Sequence, residues 1–397
     1  MKWFVVLALV MGLAHAALAA APTWTIALFL NGNNDLDTFL DQDLAELAQG
    51  AANPHVRIVA QLARRGQPAR RVVFETGGPR TITELGTVDM GDAASLTAFF
   101  DWAAKNYPAE HTALVLWDHG SGWDKDRAPA LRGISHDEVS GHHITTEALG
   151  QALDHCRQTL GRKLDVVAMD ACLMQMVEVL FTIGGACDYV VASEEAVPGA
   201  GYPYADVIAG LADGTTPEQF AIHWSEAFVA WYRREFGGTN KRATQSAVRT
   251  RDLAELFAAC DQLSDLLIAG GHAKQVQPCL EQVVKFLTFG RTNVDLGQLT
   301  DLLKSRANDA AVTAACDRIH SGLSAVVLTA GSGGAPDLAA TQGVAIYFPR
   351  KPTSYDAAYG NIPFCRAHSW GRMVWLYFKE LGLVWAKREQ FPAPDLD

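Results

Sequence analysis

The chain has 397 residues, of which 49% are hydrophobic and ten are tryptophan, enough to fill one large or two ordinary domains. Its formal net charge of -11 argues against nucleic acid as the main partner, because the phosphate backbone attracts basic surfaces. After the first residues no apolar run reaches the roughly 18 residues of a membrane span, so we expect no membrane span in the mature chain.

The first 19 residues have the form of a secretory signal peptide. Lys2 precedes an apolar run from Trp3 to Leu13, and Ala17-Leu18-Ala19 has the small-x-small form of a cleavage site. The apolar run is too short to favour the alternative, a membrane anchor. The pattern predicts export to the extracellular space or the periplasm.

Strand and helix signals alternate over residues 20–204. Alternation of this kind predicts an α/β fold with a mostly parallel sheet and helices on both faces. In chain order we expect strands and helices over the following ranges: strand 24–30, helix 35–47, strand 55–62, a hairpin within 70–90, helix 93–107, a strand from 114, helix 145–160, a strand from 164, a helix ending at 183, and strand 188–193.

The chain after residue 204 has mainly helical patterns. Helices are predicted over 217–236, 252–269, 275–288 and 295–307, with one returning strand over 343–348 and a glycine-rich loop over 331–336. We therefore expect a helix-rich C-terminal part over 205–387, packed on the α/β domain, and a tail over 388–397.

Two segments end a predicted strand in reactive side chains. LVLWDHGSGW, from Leu114, passes through His119, and LDVVAMDACLMQM, from Leu164, passes through Cys172. Functional groups in open α/β sheets lie beyond the carboxyl ends of the strands. The pattern therefore predicts an imidazole beside a thiol, which is the arrangement that a cysteine nucleophile needs.

These residues resemble the clostripain-like cysteine peptidases, relatives of the gingipain, legumain and caspase enzymes. That family pairs a His-Gly after one strand with an Asp-Ala-Cys after the next. The resemblance extends to WTIALFLNGNNDLD from Trp24, YVVASEEAVPGAGYPY from Tyr189 and GVAIYFP from Gly343. It implies a caspase-like sheet and a secreted cysteine endopeptidase that cuts peptides after arginine or lysine.

The resemblance assigns a Cys-His dyad. Cys172 would be the nucleophile, and His119 would protonate the leaving amine and then activate water. We expect the backbone N–H groups of Gly120 and Cys172 to stabilise the oxyanion, and a helix beginning at Cys172 to favour the thiolate. A dyad does not require Asp118 as a third member. The alternatives are a structural strand-end cysteine and a histidine that caps a turn.

Acidic residues near Cys172 predict the substrate preference. The resemblance implies that Asp170 lines the pocket for a basic side chain, and we expect Glu194 and Glu195 to add to that pocket. The alternative for Asp170 is a strand-end carboxylate bonded to a neighbouring loop. Ala196 and Val197 interrupt a stretch that is often more acidic in relatives.

The polar segment over 122–140 is a predicted surface loop. Relatives are often activated by cutting their own chain here, and this loop carries Lys125, Arg127 and Arg132. We expect self-cleavage first after Arg132, with a plain surface loop as the alternative.

Other clusters predict no firm cofactor. The spacing of His136, Asp137, His142 and His143 matches no strong zinc template. Calcium is implied only by the resemblance. The aspartates at 35, 37, 41 and 43 lack an EF-hand pattern and are expected to form a solvated helix face.

Two alternatives concern the cysteines and the activity. The chain has seven cysteines, so if Cys172 is the nucleophile the other six either form disulfides or remain buried thiols. A non-catalytic binding protein on the same fold is the alternative to an enzyme, although the presence of both His119 and Cys172 favours an enzyme. A third possibility is a peptidase with a different side-chain preference.

Overall fold

The computed structural model describes residues 22–123, 133–270, 273–284, 286 and 292–380. The predicted signal peptide over 1–19 and the tail over 388–397 lie outside the described residues. No helix in the described ranges is long and apolar enough to cross a membrane.

A nine-stranded sheet forms the centre of the described structure, in the order β12-β10-β9-β8-β5-β1-β2-β3-β4. The central strands β9, β8, β5, β1 and β2 run parallel, and antiparallel strands flank them on both edges. This confirms the predicted α/β class. The nine strands are β1 (Trp24–Gly32), β2 (Val56–Arg64), β3 (Ala69–Glu75), β4 (Gly78–Gly86), β5 (His111–Trp117), β8 (Leu164–Asp170), β9 (Cys187–Ala192), β10 (Arg242–Arg249) and β12 (Val327–Gly334).

Two small sheets accompany the main sheet. β6 (Ile134–Asp137) pairs with β7 (His142–Ile144), and β11 (Asn293–Asp295) pairs with β13 (Ala345–Tyr347). The predicted late strand is therefore present, but it pairs with β11 outside the main sheet.

Helices cover both faces of the main sheet. In β1, Ile26 and Leu28 face one core cluster whereas Ala27 and Phe29 face the other, because successive side chains of a strand point to opposite faces. The described helices are α1 (Leu40–Gly50), α2 (Ala93–Asn106), α3 (Thr146–Leu160), α4 (Val177–Ile183), α5 (Tyr204–Ala209), α6 (Pro217–Phe236), α7 (Leu253–Gly270), α8 (Ala273–Gln282), α9 (Leu296–Lys304), α10 (Ala310–Val326), α11 (Pro363–Ala367) and α12 (Trp370–Glu380).

Several helices begin where the sequence places a capping residue. The side chain of Thr145 accepts a hydrogen bond from the N–H of Ala148 at the start of α3. Thr216 and Gln219 form a capping box at the start of α6, where Pro217 is the first helical residue. These local signals explain why the predicted bounds of α3 and α6 agree closely with the structure.

The part of the chain after residue 204 contributes two strands to the main sheet, which the sequence patterns did not predict. β10 pairs with β9 and β12 pairs with β10, both antiparallel. The predicted glycine-rich loop is thus largely strand β12. A side chain at Gly333 would place its Cβ 2.5 Å from the Cβ of Tyr232, so glycine is needed there for α6 to pack on the strand.

Glu178, on α4, is a buried carboxyl group that joins the two parts of the chain. Its Oε1 accepts hydrogen bonds from the N–H of Tyr347 at 2.9 Å and the hydroxyl of Tyr359 at 2.6 Å. Its Oε2 has no hydrogen-bond partner among the described residues. Burial raises the pKa of Glu178 to about 7, against the weaker lowering effect of the two tyrosine hydrogen bonds.

We expect Glu178→Gln to remove a pH-dependent loss of stability. The unfolded chain ionises near the ordinary pKa of 4.5, whereas the folded chain keeps the proton up to about pH 7. Stability therefore falls as the pH rises through this window, by about 3 kcal/mol for this one group. Denaturant unfolding at several pH values measures this. Relative to the wild type, the free energy of unfolding of the variant should increase by about that amount as the pH rises through this window.

The matched control is Glu147→Gln, because the Glu147 side chain is 56% exposed. That variant should follow the wild type across the same pH range. A constant difference between wild type and Glu178→Gln at all pH values would contradict the role assigned to Glu178.

Candidate functional site

The carboxyl ends of β5 and β8 lie side by side in the sheet. Trp117, the last residue of β5, pairs with Asp170, the last residue of β8. The N–H of Asp118 donates a hydrogen bond of 3.3 Å to the carbonyl of Asp170, which extends the contact past the strands. The segments that carry His119 and Cys172 therefore leave the sheet next to each other.

A cavity of about 210 Å³ opens at this edge of the sheet. We call it the Cys172 cavity, and both His119 and Asp170 border it. The described residues that line it are Leu36, Phe39, Trp117, Asp118, His119, Asp170, Ala171, Cys172, Val197, Pro198, Gly199 and Gly201.

Gly120 allows the histidine loop to contact the cysteine loop. A Cβ at this position would lie 2.5 Å from the carbonyl oxygen and 3.0 Å from the nitrogen of Cys172. Contacts that short exclude any side chain, so the backbones of the two loops touch only because residue 120 is glycine.

Cys172 lies in a tight turn and not at the start of a helix. The prediction that a helix begins at Cys172 and favours the thiolate is therefore wrong. β8 ends at Asp170, and α4 begins only at Val177. Between them Leu173 adopts a φ of 65°, which is uncommon for a residue with a side chain. The N–H of Leu173 donates a hydrogen bond of 3.2 Å to the carbonyl of Glu195, and this contact holds the turn against the loop after β9.

All seven cysteines are free thiols in the described structure. Burial raises the pKa of six of them above the ordinary thiol value, which makes them poor nucleophiles at neutral pH. These six are Cys156, Cys187, Cys260, Cys279, Cys316 and Cys365. Cys172 borders a cavity that His119 also lines.

Asp35 contacts His119, a partner that the sequence patterns did not predict. The distance between His119 Nε2 and Asp35 Oδ1 is 2.6 Å. Asp35 follows β1, the strand next to β5, so the only signal in the sequence was its place after a neighbouring parallel strand. Nδ1 of His119 has no hydrogen-bond partner among the described residues.

Asp118 is a structural carboxylate of the same turn. Its side chain accepts hydrogen bonds from the side-chain amides of Asn31, at 2.8 Å, and Asn34, at 2.5 Å. Burial raises the pKa of Asp118, and the hydrogen bonds oppose that shift. Its oxygens thus hold the loops after β1 and β5 together.

Asp170 is buried at the inner end of the Cys172 cavity. Its Oδ2 accepts hydrogen bonds from the N–H of Tyr202 at 3.0 Å and the hydroxyl of Tyr204 at 2.9 Å. Burial raises the pKa of Asp170, and these two hydrogen bonds lower it by less.

Glu194 and Glu195 have other partners and do not line the Cys172 cavity, which corrects their predicted place in the pocket. Glu194 Oε2 accepts a hydrogen bond of 3.1 Å from the N–H of Gly343, and Glu195 pairs with Arg242 at 2.7 Å. Both side chains turn toward the segments after residue 204, because β10 and the chain before β13 pack against the loop after β9.

The predicted solvated aspartate face is instead a set of paired side chains. Asp37 and Asp41 form salt bridges with Arg64 at 2.8 and 2.6 Å, and Asp43 accepts a hydrogen bond of 2.7 Å from the indole of Trp117. The described residues contain no group of three or more His, Cys, Asp or Glu side chains placed to hold a metal ion. Calcium dependence stays a prediction of the family resemblance.

The histidines at 136, 142 and 143 lie beside the site in separate contacts. The rings of His136 and His143 stack with their centroids 5.3 Å apart. Asp89 accepts a hydrogen bond from His142, and this bond raises the pKa of the imidazole. The candidate cleavage residues Lys125, Arg127 and Arg132 lie outside the described residues.

Comparison with known proteins identifies the family. The model of the clostripain family, peptidase family C11, matches residues 28–374. The chain belongs to the clostripain family. Clostripain from Hathewaya histolytica is 27% identical over 215 residues, which span 45% of this chain and 40% of clostripain. The match thus covers less than half of the length of that relative.

Solved structures of clostripain-family proteins share the fold. A secreted C11 cysteine protease from Bacteroides thetaiotaomicron, in complex with an irreversible peptide inhibitor, superposes with a TM-score of 0.70 at 20% identity, covering 89% of this chain and 99% of that one. An inactive zymogen C11 protease from Parabacteroides distasonis gives 0.66 at 19% identity, covering 87% and 98%.

We expect Gly120→Ala to reduce peptide hydrolysis strongly in this clostripain-family protein. The added methyl group would push the histidine loop away from Cys172, and a displacement of about 1 Å of reacting groups costs about a hundredfold in rate. Steady-state kcat/KM on a fluorogenic peptide measures the effect.

Gly185→Ala is the matched control, because a Cβ at Gly185 meets nothing within 4 Å. It should keep wild-type activity. Unchanged activity in Gly120→Ala would show that the close approach of the two loops is unimportant.

Proposed function

We propose that this protein is a cysteine endopeptidase, with Cys172 as nucleophile and His119 as general acid and base. The observation that supports this most directly is that His119, Cys172 and Asp170 border one cavity at the carboxyl edge of the sheet. The raised pKa of each of the other six thiols makes Cys172 the favoured nucleophile.

The proposed reaction has two steps. Sγ of Cys172 attacks the carbonyl carbon of the substrate, and His119 transfers a proton to the leaving amine as the C–N bond breaks. The resulting thioester is then attacked by water, which gives its proton to His119, and the free acid and thiol are released. The N–H groups of Gly120 and Cys172 are the proposed oxyanion donors.

Asp35 supports the role of His119. A carboxylate that accepts from Nε2–H fixes the tautomer in which Nδ1 is unprotonated. Nδ1 is then available to accept the proton of the thiol and to pass it to the leaving amine. The dyad of the sequence prediction thereby gains a positioning carboxylate on a neighbouring loop.

Asp170 favours cleavage after arginine or lysine. A buried carboxylate that lines the cavity attracts a cationic side chain, because pairing offsets the cost of desolvation. The substrates would be proteins or peptides with basic residues. The signal-peptide pattern supports an exported enzyme.

A panel of fluorogenic peptides that differ only in the residue before the scissile bond tests this proposal. We expect hydrolysis after arginine or lysine, and a loss of about a thousandfold or more in both Cys172→Ala and His119→Ala. Covalent labelling by a thiol-specific probe should require Cys172.

Each negative result has its own meaning. Substantial hydrolysis by Cys172→Ala would rule out the mechanism. Labelling of Cys172 without hydrolysis of any peptide would favour a non-catalytic binding protein. Hydrolysis after neutral residues alone would leave a peptidase with another preference.

We also propose that the enzyme cuts its own chain between residues 122 and 140. Gly120 forms an antiparallel β-bridge with Ile134, and the N–H of Ser121 donates a hydrogen bond of 3.0 Å to the carbonyl of Gly133. Residues 120–121 and 133–134 therefore meet beside the site. Gly133 is buried and donates its own N–H to the hydroxyl of Ser121. The cut that the sequence first suggests, after Arg132, would fall directly before Gly133 and its contacts with Ser121.

N-terminal sequencing of aged protein should find a new terminus in this segment. The two fragments should elute together, because β5 lies before the cut and pairs with β8 after it. Cys172→Ala should remain whole. A cut that is equally frequent in Cys172→Ala would indicate a contaminating protease, and an intact active wild type would show that processing is unnecessary.

A further inference from the structure

Two buried carboxyl groups from different elements meet beneath the Cys172 cavity. Asp43 lies on α1 and Asp170 ends β8, and they are 2% and 5% exposed. Both approach Gly201, where a Cβ would lie 3.1 Å from Oδ2 and 3.6 Å from Oδ1 of Asp170, and 3.6 Å from Oδ1 of Asp43. A single ligand atom near that point would therefore contact both carboxyl groups.

In both carboxyl groups the hydrogen bonds from the described residues go to Oδ2, so Oδ1 has no donor among them. Oδ2 of Asp43 accepts from the indole N–H of Trp117 at 2.7 Å. Oδ2 of Asp170 accepts from Tyr202 and Tyr204. Within the described residues, neither Oδ1 accepts a hydrogen bond and neither aspartate forms a salt bridge. Carboxyl groups of residues this buried normally accept hydrogen bonds on both oxygens, so the two Oδ1 atoms are suited to receive them from a ligand.

The pair is connected to the cavity by its lining residues. Trp117, Asp170 and Gly201 all line it, and the Trp117 indole that forms part of the wall is the donor to Asp43. Gly201 has a φ of 58° and no side chain, so it leaves open the space between the carboxyl groups and the cavity. Cys172 borders the same cavity, which places the pair within reach of a substrate side chain.

We infer that Asp43 is a second specificity-determining carboxyl group, which together with Asp170 binds the cationic side chain before the scissile bond and releases a proton as that side chain enters. This inference rests on the proposed peptidase function. A guanidinium or ammonium group supplies several N–H donors, enough for the unoccupied oxygen of each carboxyl group.

The surroundings explain why a proton is held while the cavity is empty. Burial raises the pKa of both aspartates, and the negative charge of Asp170 raises that of Asp43 further. The groups that face them are Glu46 on α1, Tyr204 on α5 and Tyr232 on α6, together with Tyr202 and Trp117. None of these is cationic, so only an arriving cation makes ionisation of both carboxyl groups favourable.

The test compares two peptides that differ only in arginine or citrulline before the scissile bond. Citrulline has the shape of arginine without its charge, so the ratio of the two kcat/KM values measures recognition of the charge. We expect Asp43→Asn to lower that ratio about tenfold, which is about 1.4 kcal/mol. Asp170→Asn should lower the ratio but leave a residual preference for arginine. The double variant should lose this remaining preference.

Asp41→Asn is the matched control. It is the same substitution on the same helix, but the Asp41 side chain is 71% exposed and faces Arg64. Its ratio should equal that of the wild type. Unfolding temperatures show which variants are folded, and if Asp43→Asn fails to fold, the residual preference in Asp170→Asn decides the matter.

The pH dependence gives a second readout. In the wild type, KM for the arginine peptide should fall as the pH rises through neutrality, while KM for the citrulline peptide stays constant. Calorimetric titration of Cys172→Ala with an uncleaved arginine peptide, in buffers of different ionisation enthalpy, should show proton release.

The outcomes separate this inference from the proposed function. If Asp43→Asn keeps the wild-type ratio, or Asp170→Asn has no residual preference, Asp43 takes no part in recognition. If the wild type hydrolyses neither of these peptides nor any member of the fluorogenic panel, the peptidase function itself fails. If it cuts the two peptides equally, cleavage occurs without recognition of charge, and both the preference for basic residues and the role of Asp43 are excluded.

Discussion

The register between β5 and β8 is the constraint on which the site depends. Trp117 pairs with Asp170, so the chain leaves both strands at the same level and at the same edge. His119 and Cys172 then need only two residues each to reach a common cavity. A parallel sheet imposes this geometry, because the carboxyl ends of neighbouring strands point the same way. Gly120 completes it by allowing the two loops to touch.

Buried carboxyl groups are concentrated around that edge and at the junction with the C-terminal part. Asp118 joins the loops after β1 and β5, Glu178 joins α4 to the segment around β13, and Asp43 and Asp170 lie below the cavity. Burial is costly for each carboxylate unless donors compensate it, and most of the donors are tyrosine hydroxyls, asparagine amides and backbone N–H groups. Asp118 accepts hydrogen bonds on both oxygens, and Glu178, whose Oε2 has no donor among the described residues, does not line the Cys172 cavity. The Asp43 and Asp170 pair combines oxygens without donors with a place beside that cavity. We propose that this combination distinguishes a recognition group from a scaffold carboxylate.

The sequence patterns predicted β1, β2 and the helices α3 and α6 well, because those elements have long apolar runs or clear capping residues. They failed for β10 and β12. β10 reads RATQSAVR, and its polar side chains are buried by partners from distant segments, as Gln175 binds Ser246. β12 is rich in glycine because α6 packs closely on it, which local patterns interpret as a loop. In both strands tertiary contacts override the local preference.

The sequence by itself determined the α/β class, the family and the two motifs that carry His119 and Cys172, because each of these depends on short runs of neighbouring residues. Only the tertiary structure decided the partners of the acidic residues. Asp35, Asp43, Glu194 and Glu195 look alike in the sequence, yet one contacts His119, one lies beneath the cavity, and two turn toward the later part of the chain. A carboxylate is defined by the donors and charges around it, and those come from residues far away in the chain.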